Sequence, residues 1–441
     1  MATSYSTHSM SVHDLLQPLG GLFTEITKFR PRADEPRLAT RVVGLGTLHE
    51  VWPHIMKRAG SRRAAIHGSG VGLEEQDAVL PALVEALERY CASVHRPEQF
   101  TWATAEELGD HALDLDTIPR CTKTELSHPR CPLIAPDKKA PIRWVKGLSL
   151  RDGRVIYLPA VMVYLFTGYA SPGERIWIPI STGCAGHTSF ERALLGAILE
   201  VIERDALSIL WLQKLPFPRI ALDSVTPLLV KYLERYQQGP RDLEYIFFDA
   251  TTDLEVPTVY GVQIARENSR LTTLVSCSAA MHPAEAVIKV IRDMSGCRRS
   301  LRKPPAPPSD WDDFTELLHG ASYMAYAAQA HAFDFLLQSS RKQRLSAMHE
   351  LESENDQRSL ALLLKRLSHK GLAVYAVDLS TDEALRSGVR VVRVLIPGLQ
   401  PFSGCYLAQY KAHPRLYDAP RQMGYTVRSE EQLNRWPQPF P

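Results

Sequence analysis

The motif ExxER, two glutamates followed directly by an arginine, occurs at residues 85–89 and again at residues 200–204. Positions i, i+3 and i+4 of an α-helix lie on one face, so each copy places two carboxylates and one guanidinium side by side. An ion-paired stripe on a helix surface is the ordinary interpretation of a single copy. The charged residues concerned are Glu85, Glu88, Arg89, Glu200, Glu203 and Arg204.

The second copy lies in an unusually apolar stretch. Residues 193–202, ALLGAILEVI, contain Glu200 as their only charge, and LSILWL follows at residues 207–212. A buried carboxylate is costly unless a cation or hydrogen-bond donors meet it. One arginine balances one of the two glutamates, so negative charge is left over. Mg²⁺ binds a few carboxylates and completes its shell with water and phosphate oxygens, so this excess indicates a magnesium site.

A loop of small residues precedes each of these helices. STGCAGHTS comes before the second helix, where Thr188 and Glu191 fit a capping box. Gly68, Gly70 and Gly72 come before the first. Free N–H groups at such helix starts favour a phosphate. The alternatives stay open, because no Walker motif occurs, GSGVG alone is more often a tight turn, and Glu191 also fits a plain capping role.

The rest of the chain predicts an α/β protein. A strand, a small-residue loop and a helix recur in three units, the third opened by Pro283 at the first turn of its helix. IRWVKGLSL and RVIYLPAVMVYLF predict a hairpin around RDGR, and LAVYAVDLS and VRVVRVLIP predict two core strands. FTELLHGASYMAYAAQAHAFDFLLQ predicts one long helix. Residues 1–60 are expected to be an irregular lead-in, and residues 61–441 one domain with a proline-rich tail at residues 437–441.

Composition narrows the class of protein. Of the 441 residues 45% are hydrophobic and 23% charged, which describes an ordinary globular chain, and a net charge of +2 gives no argument for nucleic acid. Seven cysteines without a CxxC pair fit reduced thiols in the cytoplasm. The start shows no signal peptide, and the apolar run at 155–166 is shorter than the ~20 residues of a membrane span, so it is interpreted as a buried strand.

These residues resemble the YcaO family. STGCAGHTSFERALLGAILEVIERDA is similar to the signature loop and helix of that family. GSGVGLEEQDAVLPALVEALERY is similar to its first block, SCSAAMHPAEAVIKVIRDMSGCRR to its third and VVRVLIPGL to its fourth. The terminal PQPFP fits the PxPxP ending of members that form azoline rings. The similarity extends from about Gly68 to Pro441, and its specific parts are the ERDA block and the PxPxP tail.

The resemblance implies an enzyme dependent on ATP and Mg²⁺, with strand–loop–helix units and mixed sheets around a central nucleotide cleft. In azoline formers, a Cys, Ser or Thr side chain of a ribosomal precursor peptide attacks the preceding amide carbonyl. The amide oxygen is then phosphorylated, and loss of phosphate leaves a thiazoline or oxazoline. An E1-like or leader-recognition protein and an FMN dehydrogenase are the implied partners, and a homodimer is compatible with the resemblance.

The same resemblance assigns roles to individual residues. Pro437, Pro439 and Pro441 would stiffen the tail so that the terminal carboxylate of Pro441 reaches the active site as a proton acceptor. The implied metal and phosphate-site carboxylates are Glu85, Glu88, Glu200 and Glu203, and Arg89 and Arg204 would hold them in place. Ser181 would contact the nucleotide, and Arg393 would face phosphate as a catalytic residue. Glu191 and Arg298 are further nucleotide-site candidates.

Several positions depart from the family pattern. Pro81 replaces a serine, so either the helix begins near Leu80 or it is kinked. Val71 replaces a common lysine and Thr182 an asparagine. In the third block Gly296 replaces a glutamine, and Asp293 replaces a glutamate. The alternatives to azoline formation are a YcaO-type enzyme that makes a thioamide or macroamidine, and a catalytically inactive scaffold.

Overall fold

The computed structural model describes residues 10–45, 48, 52, 55, 66–239, 242–303, 306–351 and 353–441. The strands are β1 Phe23–Phe29, β2 Ala39–Leu45, β3 His67–Gly72, β4 Thr101–Ala103, β5 Ile142–Ser149, β6 Val155–Pro159, β7 Cys184–His187, β8 Arg219–Ala221, β9 Leu243–Asp249, β10 Thr258–Ala265, β11 Thr273–Ala279, β12 Lys342–Arg344, β13 Tyr375–Asp378 and β14 Arg390–Leu395. The helices are α1 Glu75–Ser93, α2 Ala105–Leu108, α3 Lys123–Ser127, α4 Ala160–Val163, α5 Phe190–Gln213, α6 Pro227–Gln237, α7 Pro283–Ser300, α8 Leu317–Met324, α9 Asp334–Leu337, α10 Asp356–His369, α11 Asp382–Arg386 and α12 Arg415–Gln422.

The strands form three sheets. One has the order β1-β2-β3, and a second has the order β11-β10-β9-β8-β12. The third has the order β4-β5-β13-β14-β7, with β6 paired to β5. β12 runs parallel to β8, whereas the neighbouring β8–β9 and β9–β10 pairs are antiparallel, so the second sheet is mixed. The predicted α/β class is confirmed.

The three predicted strand–loop–helix units are present, and each contributes the edge strand of a different sheet. These units are β3 with α1, β7 with α5, and β11 with α7. Each helix also contacts the strand of the next unit: α1 packs on β7, α5 on β11, and α7 on β3. The three units therefore close on one another in cyclic order, and the helices that carry the ExxER motifs lie at neighbouring positions in that arrangement.

The glycine-rich segment before α1 is a strand, and the prediction of a phosphate-binding loop there is wrong. Residues 67–72 pair with β2 along their whole length. A Cβ atom on Gly68 would collide with the backbone of Ala82 and Ala86 in α1, and one on Gly70 with the backbone of Ala78. The glycines therefore let the helix lie directly on the strand, which brings the first ExxER motif close to β3.

Replacing Gly68 by alanine is expected to lower the free energy of unfolding by about 2 kcal/mol or more, because α1 must move away from β3 to admit the methyl group. Gly44→Ala on the adjacent strand is the matched control, since a Cβ atom there meets nothing within 4 Å. Urea unfolding of both variants measures the difference. Equal midpoints for the two variants would contradict this account of the glycines.

The starts of the two site helices differ from prediction. α1 begins at Glu75 and keeps Pro81 inside it, so the alternative of a helix start near Leu80 is wrong. The predicted capping box of Thr188 and Glu191 is also wrong. The N-cap of α5 is Ser189, whose hydroxyl accepts a hydrogen bond from the Arg192 N–H at 3.2 Å.

Other elements follow the predictions in part. The hairpin of β5 and β6 and the core pair of β13 and β14 are confirmed. The apolar run at 155–166 is a strand only as far as Pro159, after which α4 begins. The predicted long late helix is broken into α8, a 3₁₀ segment at Ala327–Phe333, and α9. Within the expected irregular lead-in, β1 and β2 form two regular strands; the domain division at residue 60 stays a prediction.

Helix α5 is the centre of the molecule. It contacts strands of the second and third sheets as well as α10 and α12, and its buried residues run around the whole helix, as the apolar pattern predicts. Asp205 at its middle is fully buried and accepts hydrogen bonds from the Gln400 N–H at 2.8 Å and from Arg415 Nη2 at 2.8 Å. Arg415 also pairs with Asp253 at 2.7 Å. These contacts tie the segment after β14 to α5.

Candidate functional site

The first ExxER motif is held against β3. Glu85 accepts hydrogen bonds from the backbone N–H of Ser69 at 2.8 Å and from its hydroxyl at 3.1 Å. Arg89 donates to the other oxygen of the same carboxylate at 3.3 Å. Two of these donors come from Ser69 on the strand against which α1 packs and the third from the next turn of α1, and together they fix the position of the Glu85 carboxylate.

The second motif is held by the turn before β7 and by the end of β11. Glu200 accepts from the Gly183 N–H at 3.0 Å and from Arg204 Nη2 at 3.3 Å. Gly183 has φ of +83° in this turn, a conformation that side chains other than glycine rarely adopt. Glu203 is 6% exposed, pairs with Arg204 at 3.4 Å and accepts from the Ala279 N–H at 3.4 Å.

The two motifs share one electrostatic environment. Burial is the main cause that raises the pKa of Glu88 to about 8; Arg89 opposes the shift, and the negative charges of Glu200 and Glu85 add to it. Burial likewise raises the pKa of Glu203 to about 7, with a smaller contribution from Glu200. The four glutamates are therefore brought together across α1 and α5, and the raised pKa values mean that the two arginines do not hold all four carboxyl groups in the charged form.

This donor set fits Mg²⁺ bound together with phosphate. Within the described residues no three His, Cys, Asp or Glu side chains converge closely enough to hold a metal ion on their own. Mg²⁺ uses one or two carboxylates and takes its remaining ligands from water and phosphate. Arg204 Nε is buried and has no hydrogen-bond partner in the described part of the chain, which leaves a donor at the same place. The chemistry of the site thus suits a metal and phosphate pair.

Arg393 reaches this site from β14. It is 2% exposed, donates from Nη1 to the Ile180 carbonyl at 2.7 Å and to Cys184 Sγ at 3.2 Å, and lowers the pKa of Glu88. Its Nε has no partner among the described residues. Burial raises the pKa of the Cys184 thiol and, strongly, that of Cys277. A buried thiol with a raised pKa is typical of an inert packing residue and not of a nucleophile.

The remaining predicted residues differ in position. Ser181 lies half-buried in the turn that carries Gly183, where its carbonyl accepts from the Cys184 N–H at 2.8 Å. Glu191 is exposed in the first turn of α5 and accepts from the Ser189 hydroxyl at 3.1 Å. Arg298 is not brought to the glutamates: it is buried on another face of α7 and donates to Gln263 and to the Leu271 carbonyl.

The C-terminal tail lies against the site. Phe440 is 7% exposed, and the guanidinium of Arg204 lies 4.2 Å from its ring centroid. Trp211 Nε1 donates to the Trp436 carbonyl at 3.0 Å, and the backbone of Gln438 lies so close to Gly320 in α8 that a Cβ atom there would collide with it. The tail is therefore anchored at three points, and its end adjoins the arginine that pairs with Glu200 and Glu203.

Two residues of this site were not predicted from the sequence. Phe440 occupies a variable position of the PxPxP pattern, so only its contact with Arg204 reveals it. Lys289 donates to the Ala279 carbonyl at 3.1 Å and lowers the pKa of Glu203. Lys289 lies in the third family block, and that position is the signal from which it could have been predicted. A narrow, mainly apolar pocket also opens beside Arg204 and Arg393, between Ile180, Val201 and Phe402.

Two of the departures from the family pattern lie against each other. A Cβ atom on Gly296 would lie 3.3 Å from Val71, so a small residue at 296 accommodates the branched side chain at 71. Thr182 lines the apolar pocket, and Asp293 lies within electrostatic reach of Arg204 and Glu85. Of these departures, Asp293 acts electrostatically on the glutamate site and Thr182 lies in the adjacent pocket.

The comparisons with known proteins identify the class of this fold and site. Residues 69–400 match the family model described as YcaO cyclodehydratase, ATP- and Mg²⁺-binding. The chain belongs to the YcaO family, whose cofactors are ATP and Mg²⁺. An uncharacterized protein of Methanothermobacter thermautotrophicus is 26% identical over 345 residues, which cover 76% of this chain and 82% of that protein.

Solved structures share the fold. A heterocyclase in complex with substrate and cofactor has a TM-score of 0.78 at 21% identity and covers 97% of this chain; the chain spans 56% of its length. YcaO from Methanopyrus kandleri bound with AMPPCP and Mg²⁺ has a TM-score of 0.61 at 18% identity, with 86% of both chains covered. The E. coli microcin synthetase McbBCD complex has a TM-score of 0.60 at 16% identity, with 94% of this chain and 96% of that chain covered. Among the described residues no helix is both long and apolar enough to span a membrane.

The raised pKa of Glu88 predicts how the metal-free protein responds to pH. The folded state holds the Glu88 proton up to about pH 8, whereas the unfolded chain releases it near the usual 4.5. Its contribution to stability is therefore complete below pH 4.5 and is lost as the pH rises toward 8. In Glu88→Gln this loss is absent, so without Mg²⁺ the variant is expected to melt a few degrees above the wild type at pH 8.

Thermal unfolding from pH 5 to pH 8 in the presence of EDTA measures this difference. Glu98→Gln, at an exposed position, is the matched control and is expected to follow the wild type. Glu203 adds to the decline in wild-type stability because burial raises its pKa to about 7. Parallel curves for wild type and Glu88→Gln across this range would contradict the arrangement of the glutamates.

Proposed function

We propose that this chain is a cyclodehydratase subunit that converts Cys, Ser or Thr residues of a ribosomal precursor peptide to thiazolines or oxazolines with ATP. The observation that carries the proposal is the juxtaposition of four glutamates, two of them with raised pKa values, with two arginines and with Phe440 of the proline-rich tail. Family membership supports it, and so do the heterocyclase and microcin synthetase structures with the same fold.

The reaction is a condensation assisted by phosphorylation. The nucleophilic side chain of the peptide attacks the preceding amide carbonyl and loses its proton. The resulting oxyanion takes the γ-phosphoryl group of ATP, and a C–O bond then breaks to release inorganic phosphate. The amide nitrogen loses its proton and forms the C=N bond of the ring. Each ring consumes one ATP and removes the elements of one water from the peptide.

The side chains of this protein fit the demands of these reaction steps. Glu85, Glu88, Glu200 and Glu203 would supply one or two direct carboxylate ligands to Mg²⁺, with phosphate and water as the others, and the bound ion would offset the charge of the transferring phosphate. Arg89 and Arg204 fix the direction of the glutamates through their ion pairs at 3.3 Å. The Nε groups of Arg204 and Arg393, which have no hydrogen-bond partner among the residues that the structure describes, would donate to oxygens of phosphate or of the amide.

Further residues have supporting roles in the proposal. Ser181 sits in the turn that positions Gly183 and would contact the nucleotide. Glu191 lies at the exposed helix start and would act only at the edge of that site. The terminal carboxylate of Pro441 would accept a proton during ring closure. The apolar pocket beside Arg204 would hold the peptide around the reacting amide and keep water away.

Partners complete the proposed pathway. An E1-like or leader-recognition protein would present the precursor peptide, in keeping with the McbBCD complex, and an FMN dehydrogenase would oxidise azolines to azoles. The chain would work in the cytoplasm, without nucleic acid or membrane. A homodimer is compatible with this arrangement.

The test combines the purified chain with its precursor peptide, its partner protein, ATP and Mg²⁺. Mass spectrometry is expected to show loss of one water per ring, with one ADP formed for each ring. Glu203→Gln is expected to give no rings. An exchange of oxygen for sulfur would indicate thioamide formation, and absence of ATP turnover under these conditions would favour an inactive scaffold.

A further inference from the structure

Helix α7 separates the glutamate site from a second, basic cleft. The charges of Glu85 and Arg204 affect the pKa values of Asp293 and Cys297, so the face of α7 that carries these two residues is turned to the glutamates. Arg298 is the next residue along the helix and therefore points about 100° away. It lines a cleft of about 200 Å³ with the segment after β1 and the turn between β10 and β11.

Positive charge predominates in this cleft. Its lining includes four arginines against Asp34 and Glu35, a formal excess of two positive charges. Glu35 is 1% exposed and is already paired with Arg302 at 2.5 Å and with Arg299 at 3.4 Å. The four arginines are Arg32, Arg270, Arg298 and Arg302.

Arg298 is the unusual member of this group. It is 1% exposed, and its partners are the neutral oxygens of Gln263 and Leu271. Its Nη1 has no hydrogen-bond partner within the described residues. Asp34, Glu35 and Asp242 act on Arg298 only through longer-range charge. A buried guanidinium without a hydrogen-bonded carboxylate is costly unless an anion is bound beside it. At the rim, Arg32 and Arg270 are exposed and form no ion pair within the described residues.

We propose that this cleft is a phosphate-binding site, separate from the site of the ATP-dependent reaction. Guanidinium groups bind the oxygens of a phosphate through parallel charge-assisted hydrogen bonds. One buried arginine at the floor and two unpaired arginines at the rim provide donors on more than one side of a tetrahedral anion. Such a ligand is either free inorganic phosphate or the phosphate of a small metabolite, and the site does not depend on the proposed cyclodehydration.

Isothermal titration calorimetry with inorganic phosphate tests this site on the whole chain in buffer without added Mg²⁺, so that no metal brings phosphate to the glutamates. The wild type is expected to bind phosphate with one site. Arg32→Gln and Arg270→Gln, both exposed and therefore harmless to folding, are each expected to weaken binding about tenfold. Arg266→Gln is the matched control, because Arg266 is an exposed arginine on the same turn that pairs with Glu244 outside the cleft, and it is expected to bind as the wild type does.

The results separate this proposal from its alternatives. Phosphate binding that persists unchanged in both rim variants would overturn it. Displacement of phosphate by saturating Mg·ATP would also overturn it, since the cleft would then be part of the nucleotide site. Preference for a glutamate-rich peptide over phosphate, lost in the same rim variants, would replace the phosphate assignment with an acidic polypeptide. Tighter binding of a sugar phosphate than of inorganic phosphate would identify a metabolite as the source.

Discussion

A chain extended by a few residues after Pro441 is expected to lose ring formation almost completely while it still binds Mg·ATP. The tail is held by Trp211, by the close approach to Gly320 and by the packing of Phe440 on Arg204. An extension removes the terminal carboxylate from the end of this anchored segment. Displacement of a reacting group by about 1 Å can cost on the order of a hundredfold in rate, and in the role proposed for Pro441 the group itself would be lost.

Mass spectrometry of the peptide and titration with Mg·ATP measure the two halves of this expectation. An insertion of equal length in the exposed turn at residues 151–154 is the matched control and is expected to leave ring formation intact. Gly320→Ala, which pushes against Gln438 from α8, is expected to reduce ring formation without changing the sequence of the tail. Normal activity of the extended chain would refute the role of Pro441.

Asp205→Ala is expected to lower the free energy of unfolding by about 3–5 kcal/mol. The substitution removes a fully buried carboxylate that accepts from the Gln400 N–H and from Arg415, and it leaves Arg415 with Asp253 alone. Breaking one side of a buried ion pair is costly because the remaining charge stays out of water. The loop after β14 would lose its link to α5.

Urea unfolding measures this effect as a change in the denaturation midpoint while the dependence of the unfolding free energy on urea concentration stays constant. Arg192→Ala breaks a solvent-exposed pair with Asp356 at the start of the same helix, and it is expected to cost less than about 1 kcal/mol. Similar losses for the two variants would show that the Asp205 network contributes little to stability.

The sequence predicts those parts of the site that depend on helical spacing. Glu85 and Glu88 must share a face of α1, as must Glu200 and Glu203 on α5, and the apolar surroundings of Glu200 indicate a buried helix. The resemblance in four blocks then predicts that the two helices meet. The first inference rests on local spacing and the second on comparison with the family. The effect of Glu200 on the pKa of Glu88 agrees with both.

Other features depend on tertiary contacts that no local pattern contains. The glycines at 68, 70 and 72 have the composition of a loop, yet their lack of side chains serves the packing of α1 on β3. Thr188 and Glu191 have capping-box spacing, but Ser189, one residue later, also fits an N-cap and takes that place. Arg298 follows the family block by position, whereas the helical turn directs it to the basic cleft.

The fate of the amide oxygen tests the central claim most directly. A precursor peptide carrying ¹⁸O in the backbone carbonyl that precedes the reacting residue is incubated with the chain, its partner, ATP and Mg²⁺. The account predicts that the label appears in the released inorganic phosphate, one atom for each ring, because the amide oxygen takes the γ-phosphoryl group and leaves with it. Label in water, with unlabelled phosphate, would contradict it.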